Sequence, residues 1–313
     1  MVNWLVVGVG DIAQKRVIPA ILAEPRSVLY GVVTRDARKA IPYPHVTAWT
    51  TLDAALQDGT IDAVYISSPV VLHAKYTLAA LQAGKHVLCE KPVAMNLAQA
   101  ERMVTASKLS GKLFGAAYYR RLFPKLIRAK ELIAQGEIGQ PVLAEANCHG
   151  WLESEERAWL RDPAMAGGGP LYDIGSHRID TMNFLFGRPL RATGLLSNAV
   201  HSLQVEDSAT VVTEYAGGMH GVVDVRWNSR IERDQFRVIG TEGEMNLDSL
   251  SGPQLRIAGH VEILPTHANV HFPLVENFVD AILDGASLVC TGAEAIWTDW
   301  VTEQVMHAAR KTS

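Results

Sequence analysis

An α/β domain built on a doubly wound parallel sheet, followed by an α+β domain on a mostly antiparallel open sheet, is the fold class this sequence predicts. Three observations point there. Strand-like and helix-like runs alternate over roughly the first 115 residues, which is the spacing of right-handed βαβ units. After about residue 120 short strand-like runs dominate instead. The chain is also long enough for two cores, with 313 residues of which 48% are hydrophobic. The division is placed at 1–119 and 120–313. That apolar content excludes a disordered chain, and no dominating period supports a rod.

The first strand is Asn3-Trp4-Leu5-Val6-Val7-Gly8, a short apolar run ending in glycine, as a strand buried on both faces reads. Ile12–Ala23 carries helical spacing and stops near Pro25, and Val28–Val33 is the second strand. Between Val33 and Thr51 a full crossover helix is due, but Pro42 and Pro44 forbid a continuous one. A single turn or a loop is expected there. Ile61–Ser67 is a strand stopped by Pro69, and a helix over His73–Ala83 ends at Gly84. His86–Cys89 is a strand, Asn96 caps a helix to about Leu109, and Lys112–Ala117 completes the series.

In the second half a helix over Pro124–Gln135 ends in the turn Gly136–Gly139. Strands are read at Val142–Cys148, Leu190–Ser197, Ala209–Tyr215, Gly221–Trp227, Gln235–Ile239 and Gln254–Ile257. Tyr215–Met219 is a hairpin turn between two of them. The last helix expected is Pro273–Leu283, with Phe278 and Ile282 on one face.

Charge and cysteines limit the partners. A total of 29 Lys and Arg against 33 Asp and Glu leaves −4, which lacks the basic excess of a nucleic-acid binder. The local cluster Arg120, Arg121, Lys125, Arg128 and Lys130 reads as the solvated face of a helix. Cys89, Cys148 and Cys290 are far apart and form no CxxC pair, so reduced thiols in a cytoplasmic protein are expected. No targeting segment is read ahead of the first strand, and no apolar run reaches membrane-spanning length. His267 and His271 form the only close histidine pair and lack a third ligand in sequence, so no metal site is expected.

Chemistry concentrates in three motifs. Gly8-Val9-Gly10-Asp11-Ile12-Ala13 is a G-x-G-x-x-A dinucleotide fingerprint, following a strand and opening a helix. Gly8 makes the tight turn, Gly10 lets backbone approach a pyrophosphate, and Ala13 lets helix and strand pack closely. At the end of the second strand an NAD binder places an acid on the ribose. Here Thr34 and Arg35 stand in that place, with Arg38 as a second cation, and these suit a 2′-phosphate. Asp36 would return an acid to the ribose if the register slipped by one. NADP(H) is therefore preferred over NAD(H). The second motif, Cys89-Glu90-Lys91-Pro92, puts Lys91 at the C-terminal end of a strand, where α/β sheets bind ligands. The third, Gly167-Gly168-Gly169-Pro170-Leu171-Tyr172-Asp173-Ile174-Gly175-Ser176-His177, sets Asp173 and His177 on one helix face. Its three glycines are read as admitting a cofactor or substrate close to backbone.

With GVGDIA, IDAVYISSPVVLH, AGKHVLCEKP, ELIAQGEIG, GGGPLYDIGSHRID and NFVDAILDG in place, the chain resembles the Gfo/Idh/MocA oxidoreductases along its full length. Glucose-fructose oxidoreductase and inositol dehydrogenase typify that family. The resemblance implies an N-terminal Rossmann domain, a C-terminal α+β domain, and a homodimer or homotetramer assembled through the open sheet face. Lys91 matches the family's active-site lysine, and Asp173 and His177 match its catalytic pair. Ser67, Ser68 and Pro69 match a loop that touches the cofactor. Asp11, Ile12, His73, Glu90 and Lys91 itself are counted with that cofactor set.

Several positions depart from the family pattern. Val70 stands where many relatives have Asn. Trp159-Leu160-Arg161 replaces an adjacent Trp-Arg pair, and the crossover at Pro42 and Pro44 is short.

The chemistry implied is hydride transfer between nicotinamide and a carbinol carbon of a sugar, cyclitol or related polyol. His177 is then the general acid/base, Lys91 serves the same oxygen, and Asp173 orients them. Substrate contacts are expected from Tyr118–Leu122 (Arg121 included), from Trp151–Asp162 (Trp159 and Arg161 included) and from Tyr172. The rival readings are a cofactor-binding regulator, a redox-neutral NAD-dependent glycosidase and a non-sugar carbonyl or dihydrodiol reductase.

Overall fold

The computed structural model describes residues 1–152 and 158–311. They form two compact units. One comprises Met1–Tyr119 and His267–Ile296, the other Arg120–Thr266 with the remainder of the chain from Trp297. Among the described residues no helix is long and apolar enough to cross a membrane.

The first unit is built on β1 (Val2–Val7), β2 (Ser27–Val33), β3 (Thr47–Trp49), β4 (Ala63–Ile66), β5 (His86–Cys89) and β6 (Phe114–Ala116). All are parallel, in the order β3-β2-β1-β4-β5-β6. β1 and β4 are almost wholly buried, as sheets covered on both faces require. The strand order reverses between β1 and β4, so a crevice opens beyond their C-terminal ends, where such sheets bind ligands. Gly8 follows β1 there, Thr34 follows β2, Ser67 follows β4 and Glu90 follows β5.

The helix after the fingerprint is split. Ala13–Val17 is a π turn and Ile18–Ala23 continues as α-helix. Pro19 explains the widening, because it has no N–H and its ring crowds the preceding turn. The shortened crossover is a single 3₁₀ turn, Ala37–Ala40, followed by the edge strand β3, which is too short to read from sequence. Helices His73–Gln82 and Leu97–Ser110 follow, the second capped by the Asn96 side chain accepting from the Gln99 N–H at 3.0 Å. Residues 267–296 add a helix, Phe272–Leu283, whose Phe278 meets Trp4 with ring centroids 5.5 Å apart. Thr291 bridges to Gly115 beside β6.

The second unit holds β7 (Pro141–Trp151), β8 (Arg191–Ser197), β9 (Ser208–Glu214), β10 (His220–Arg226), β11 (Asn228–Gly240), β12 (Glu244–Asn246), β13 (Gln254–Ile257) and β14 (His260–Ile263). Their order is β14-β13-β12-β11-β7-β10-β9-β8, antiparallel apart from the parallel pair β7 and β10. One face buries Ala144, Ala146, Val211, Val223, Val225, Phe236 and Val238. The other leaves Leu195 and Val212 exposed.

Two sequence expectations fail in this half. The last helix is not Pro273–Leu283 but the 20-residue Gly292–Lys311. Its buried side includes Thr298, Asp299 and Thr302 among Ala295, Val301 and Val305, which erases an apolar stripe. The basic cluster after residue 119 is not a solvated face either. Arg120, Arg121 and Lys125 are buried, and the Lys125 ammonium donates to the carbonyls of Leu247 and Ser249 at 3.1 and 2.5 Å. Burial pulls its pKa down to about 8.

Candidate active site

The residues singled out for chemistry lie in both units. In the first unit, Gly8 has φ +91°, and a Cβ there would meet the Ser67 and Ser68 backbone at 3.0 Å. Glycine is required both for the turn and for the approach of the Ser67 loop. The Ser67 hydroxyl closes that approach by donating to the Gly8 carbonyl at 2.7 Å. The space a Cβ on Gly10 would enter is open, with nothing within 4 Å. That is the room a pyrophosphate needs beside a helix start, so these residues fit a dinucleotide. Asp11 and Ile12 are exposed at the same turn, Asp11 paired with Lys15 at 2.7 Å, and Ala13 is buried beneath it.

At the end of β2, the Asp36 N–H donates to the Thr34 hydroxyl at 3.2 Å. Arg38 grips the Asp36 carboxylate through Nε and one terminal nitrogen, both at 2.9 Å. That guanidinium holds the Asp36 carboxyl below its ordinary pKa. Arg35 is exposed and makes no ion pair among the described residues.

Beyond β5, Lys91 is half-buried and its peptide bond to Pro92 is cis. Glu90, counted as a cofactor contact from sequence, is turned inward. It accepts from the Tyr65 hydroxyl at 2.8 Å, and the His271 Nε2 lies 3.3 Å away. Burial raises the Glu90 pKa, but His271, Tyr65 and Lys91 outweigh it and hold the carboxyl below the usual range. His73, also counted with the cofactor set, is 1% exposed. Its ring nitrogens face the carbonyls of Pro92 and Ser68 at 2.9 and 2.8 Å. Both edges of the ring are committed to backbone, which removes it from direct cofactor contact.

In the second unit, Asp173 sits in the π turn Leu171–Gly175 and His177 in the α-helix Ser176–Phe186 that continues it. A π turn widens the spiral, but four residues still come round to nearly the same side. The reading of the three glycines as room for a ligand is corrected. A Cβ on Gly167 or Gly168 would strike the Tyr172 ring at 2.6 or 2.4 Å, and one on Gly169 the Glu206 carbonyl oxygen at 2.0 Å. The glycines admit Tyr172 and Glu206. Glu206 is buried and accepts from the Leu171 N–H at 3.1 Å, and burial raises its pKa.

Gly169→Ala is accordingly expected to destabilise the fold by about 1–3 kcal/mol, the range for overpacking. A urea-unfolding midpoint equal to the parent's would contradict this.

A cavity of about 360 Å³ opens beside this turn. Its lining includes Asp173, Ile174, Trp151, Leu160, Arg226 and Trp227. The neighbouring loop is held by Asp207. Burial alone would raise that carboxyl, but N–H groups of Val200, His201 and Ala199 and the Asn228 amide pull it below its ordinary pKa. Tyr172 is half-buried against its glycines, Trp159 is 38% exposed and Arg161 half-buried. Residues 153–157 of the expected Trp151–Asp162 specificity loop lie outside the described residues. Arg121, expected from sequence as a substrate contact, is turned inward. It is 3% exposed and binds Asp180, itself 1% exposed, through Nε and a terminal nitrogen at 2.8–3.1 Å.

Sequence reasoning missed Glu206, Asp207 and Tyr65, and weighed His271 only as a metal ligand. The adjacent acids in Val205-Glu206-Asp207-Ser208, leading an apolar strand, were a usable signal. Nothing local marks the other two.

A family described as an oxidoreductase family with an NAD-binding Rossmann fold matches residues 2–118, and a GFO/IDH/MocA C-terminal domain matches residues 126–246. A 1,5-anhydro-D-fructose reductase from Ensifer adhaerens is 30% identical over 310 residues, covering 95% of this chain and 93% of that protein. A trans-1,2-dihydrobenzene-1,2-diol dehydrogenase from Mus musculus is 28% identical over 80% of this chain and 76% of its own. Among solved structures, GenD2 from gentamicin A biosynthesis, in complex with NAD, superposes with a TM-score of 0.86 at 26% identity, covering 100% of this chain and 95% of that one. An aldose-aldose oxidoreductase from Caulobacter crescentus, complexed with glycerol, gives 0.90 at 24% identity over 100% and 98%, a likeness of fold.

Proposed function

The chain belongs to the GFO/IDH/MocA family of oxidoreductases, and from that premise we propose that it transfers hydride between NADP(H) and a carbinol or carbonyl carbon of a sugar, cyclitol or related small polyol. The observation that carries the reading is the cavity that Asp173 helps to line. Tryptophan faces such as Trp151 and Trp227 pack against the C–H face of a sugar ring, while a few polar groups orient its hydroxyls. The likeness to a 1,5-anhydro-D-fructose reductase supports a carbohydrate substrate.

When bound, the nicotinamide supplies or accepts the hydride. The chain's own residues manage the proton and the charge. His177 exchanges a proton with the reacting oxygen through its imidazole. Lys91 directs its ammonium at the charge that develops on that oxygen, or relays the proton. Asp173 orients the imidazole from one turn earlier. Gly8, Gly10 and the Ser67–Pro69 loop hold the pyrophosphate side of the dinucleotide. Trp159, Arg161 and Tyr172 shape substrate choice.

The NADP preference rests on charge at the end of β2. Arg38 neutralises Asp36, whose charge would repel a 2′-phosphate, and Arg35 remains to attract it. Arg35→Ala is expected to weaken NADPH binding about tenfold or more and leave NADH nearly unchanged, the worth of a charge-assisted hydrogen bond. A tenfold preference of the parent for NADH would overturn the argument.

The protein works in the cytoplasm as a homodimer or homotetramer through the sheet face that exposes Leu195 and Val212. Among the described residues its cysteines form no disulfide, which fits a reducing compartment.

The activity is tested with aldoses, cyclitols, 1,5-anhydro-D-fructose, 1,2-diones and a dihydrodiol, followed by NAD(P)H absorbance with both cofactors. Cofactor binding without turnover of any of them would favour a regulator. Turnover confined to the diones or the dihydrodiol would make it a non-sugar reductase.

A further inference from the structure

We propose that His73 is a positioning residue that ties the cofactor loop to the lysine loop, each ring nitrogen serving one of them. Its two backbone contacts are the carbonyl of Ser68 at Nε2, 2.8 Å, and the carbonyl of Pro92 at Nδ1, 2.9 Å. Ser68 belongs to the Ser67–Pro69 loop, whose Ser67 hydroxyl and backbone close on Gly8. Pro92 follows Lys91 directly, so its carbonyl is fixed within one residue of the lysine. The ring starts the helix His73–Gln82, which makes it a rigid mount for both loops.

The chemistry of imidazole makes this more than a packing role. A neutral ring carries one N–H, so it donates to one carbonyl and turns a lone pair toward the other. Donation at Nδ1 fastens the lysine loop, and donation at Nε2 fastens the cofactor loop. An imidazolium would fasten both, but the ring is buried, and burial lowers its pKa despite the two carbonyls. Glu90 and Lys91 are the charged groups that face it, with opposite effects. The placement of that single proton therefore connects how firmly the dinucleotide loop is held to how firmly Lys91 is held.

Side-chain amides separate the two functions. An Asn amide nitrogen overlays Nδ1 of a histidine, and a Gln amide nitrogen overlays Nε2. His73→Asn keeps a donor for Pro92 and loses the one for Ser68; His73→Gln does the reverse; His73→Leu loses both. Two readouts need no substrate: NADPH and NADH dissociation constants by fluorescence titration, and the rate of Lys91 amine labelling by acetic anhydride, read by mass spectrometry. His73→Asn, which keeps its donor for Pro92 alone, is expected to weaken cofactor binding at least threefold without speeding Lys91 labelling. His73→Gln, which keeps its donor for Ser68 alone, is expected to speed Lys91 labelling at least twofold without weakening cofactor binding, and His73→Leu to do both.

If the Leu variant does not fold, the Asn and Gln pair carries the comparison alone. Parental values in both, or the same pattern of change in both, overturn the proposal. The inference rests on the proposed roles of Lys91 and the Ser67–Pro69 loop but fails separately from them. Loss of turnover in Lys91→Met together with unseparated Asn and Gln variants would leave the function standing and remove only the linkage.

Discussion

Lys91→Met is expected to cut turnover about a thousandfold while cofactor affinity stays within a few-fold of the parent. Methionine keeps the length of the side chain and removes its ammonium, so the change isolates the charge proposed to act on the reacting oxygen. Loss of one preorganised donor in an active site costs roughly 10²–10³ in kcat, and loss of an acid/base group roughly 10²–10⁴. His177→Ala belongs to the same experiment and is expected to fall in the same range. On the proposed roles the two groups serve one step, so the double variant should be scarcely slower than either single one. Steady-state NAD(P)H absorbance and a cofactor titration decide the matter. Unchanged turnover in both single variants would remove these residues from the mechanism.

The second large effect is on stability. Asp180→Ala should destabilise the protein by about 3–5 kcal/mol, because it removes the buried carboxylate that accepts from the Arg121 guanidinium and leaves that charge less compensated in a dry interior. Both side chains are at least 97% buried, and Arg121 makes three hydrogen bonds to the one carboxylate. Phe184 lies beneath the guanidinium, 5.7 Å from ring centroid to Cζ, and cannot replace the lost charge. Replacing both partners, as Arg121→Met with Asp180→Leu, should recover most of the loss, since the desolvation cost disappears with the charges. Urea unfolding of the three variants measures this directly. A single variant within 1 kcal/mol of the parent would show that the pair is not the anchor its burial implies.

Much of the first unit was legible because its signals are local. A buried strand, a glycine turn and a capped helix each announce themselves within a dozen residues, as at Leu5–Ala13 and at Asn96. The catalytic candidates were legible for the same reason: Lys91 and the Asp173–His177 pair lie in short motifs. The arrangements around them were not, because they join distant parts of the chain. Glu90 meets His271 across 181 residues, and Lys125 meets Leu247 across 122. Arg121 looked like a surface cation and was a buried one, since only the fold supplies Asp180. The glycine run was misread for a related reason: a glycine signals that something comes close, and here the visitors are Tyr172 and Glu206.

The return of residues 267–296 to the first unit has a consequence for how the chain is made. A ribosome releases β1 through β6 early, but Phe278, which packs on Trp4, and Thr291, which bridges to Gly115, emerge near the end. The unit that opens the sequence is complete only when residue 296 of 313 has been synthesised. Vectorial synthesis therefore does not finish the nucleotide-binding unit before most of the other, residues 120–266, has emerged. A fragment cut at 119 would also leave the edge of β6 without its bridge and Trp4 without its neighbour. The two units are interleaved along the chain, and so in time.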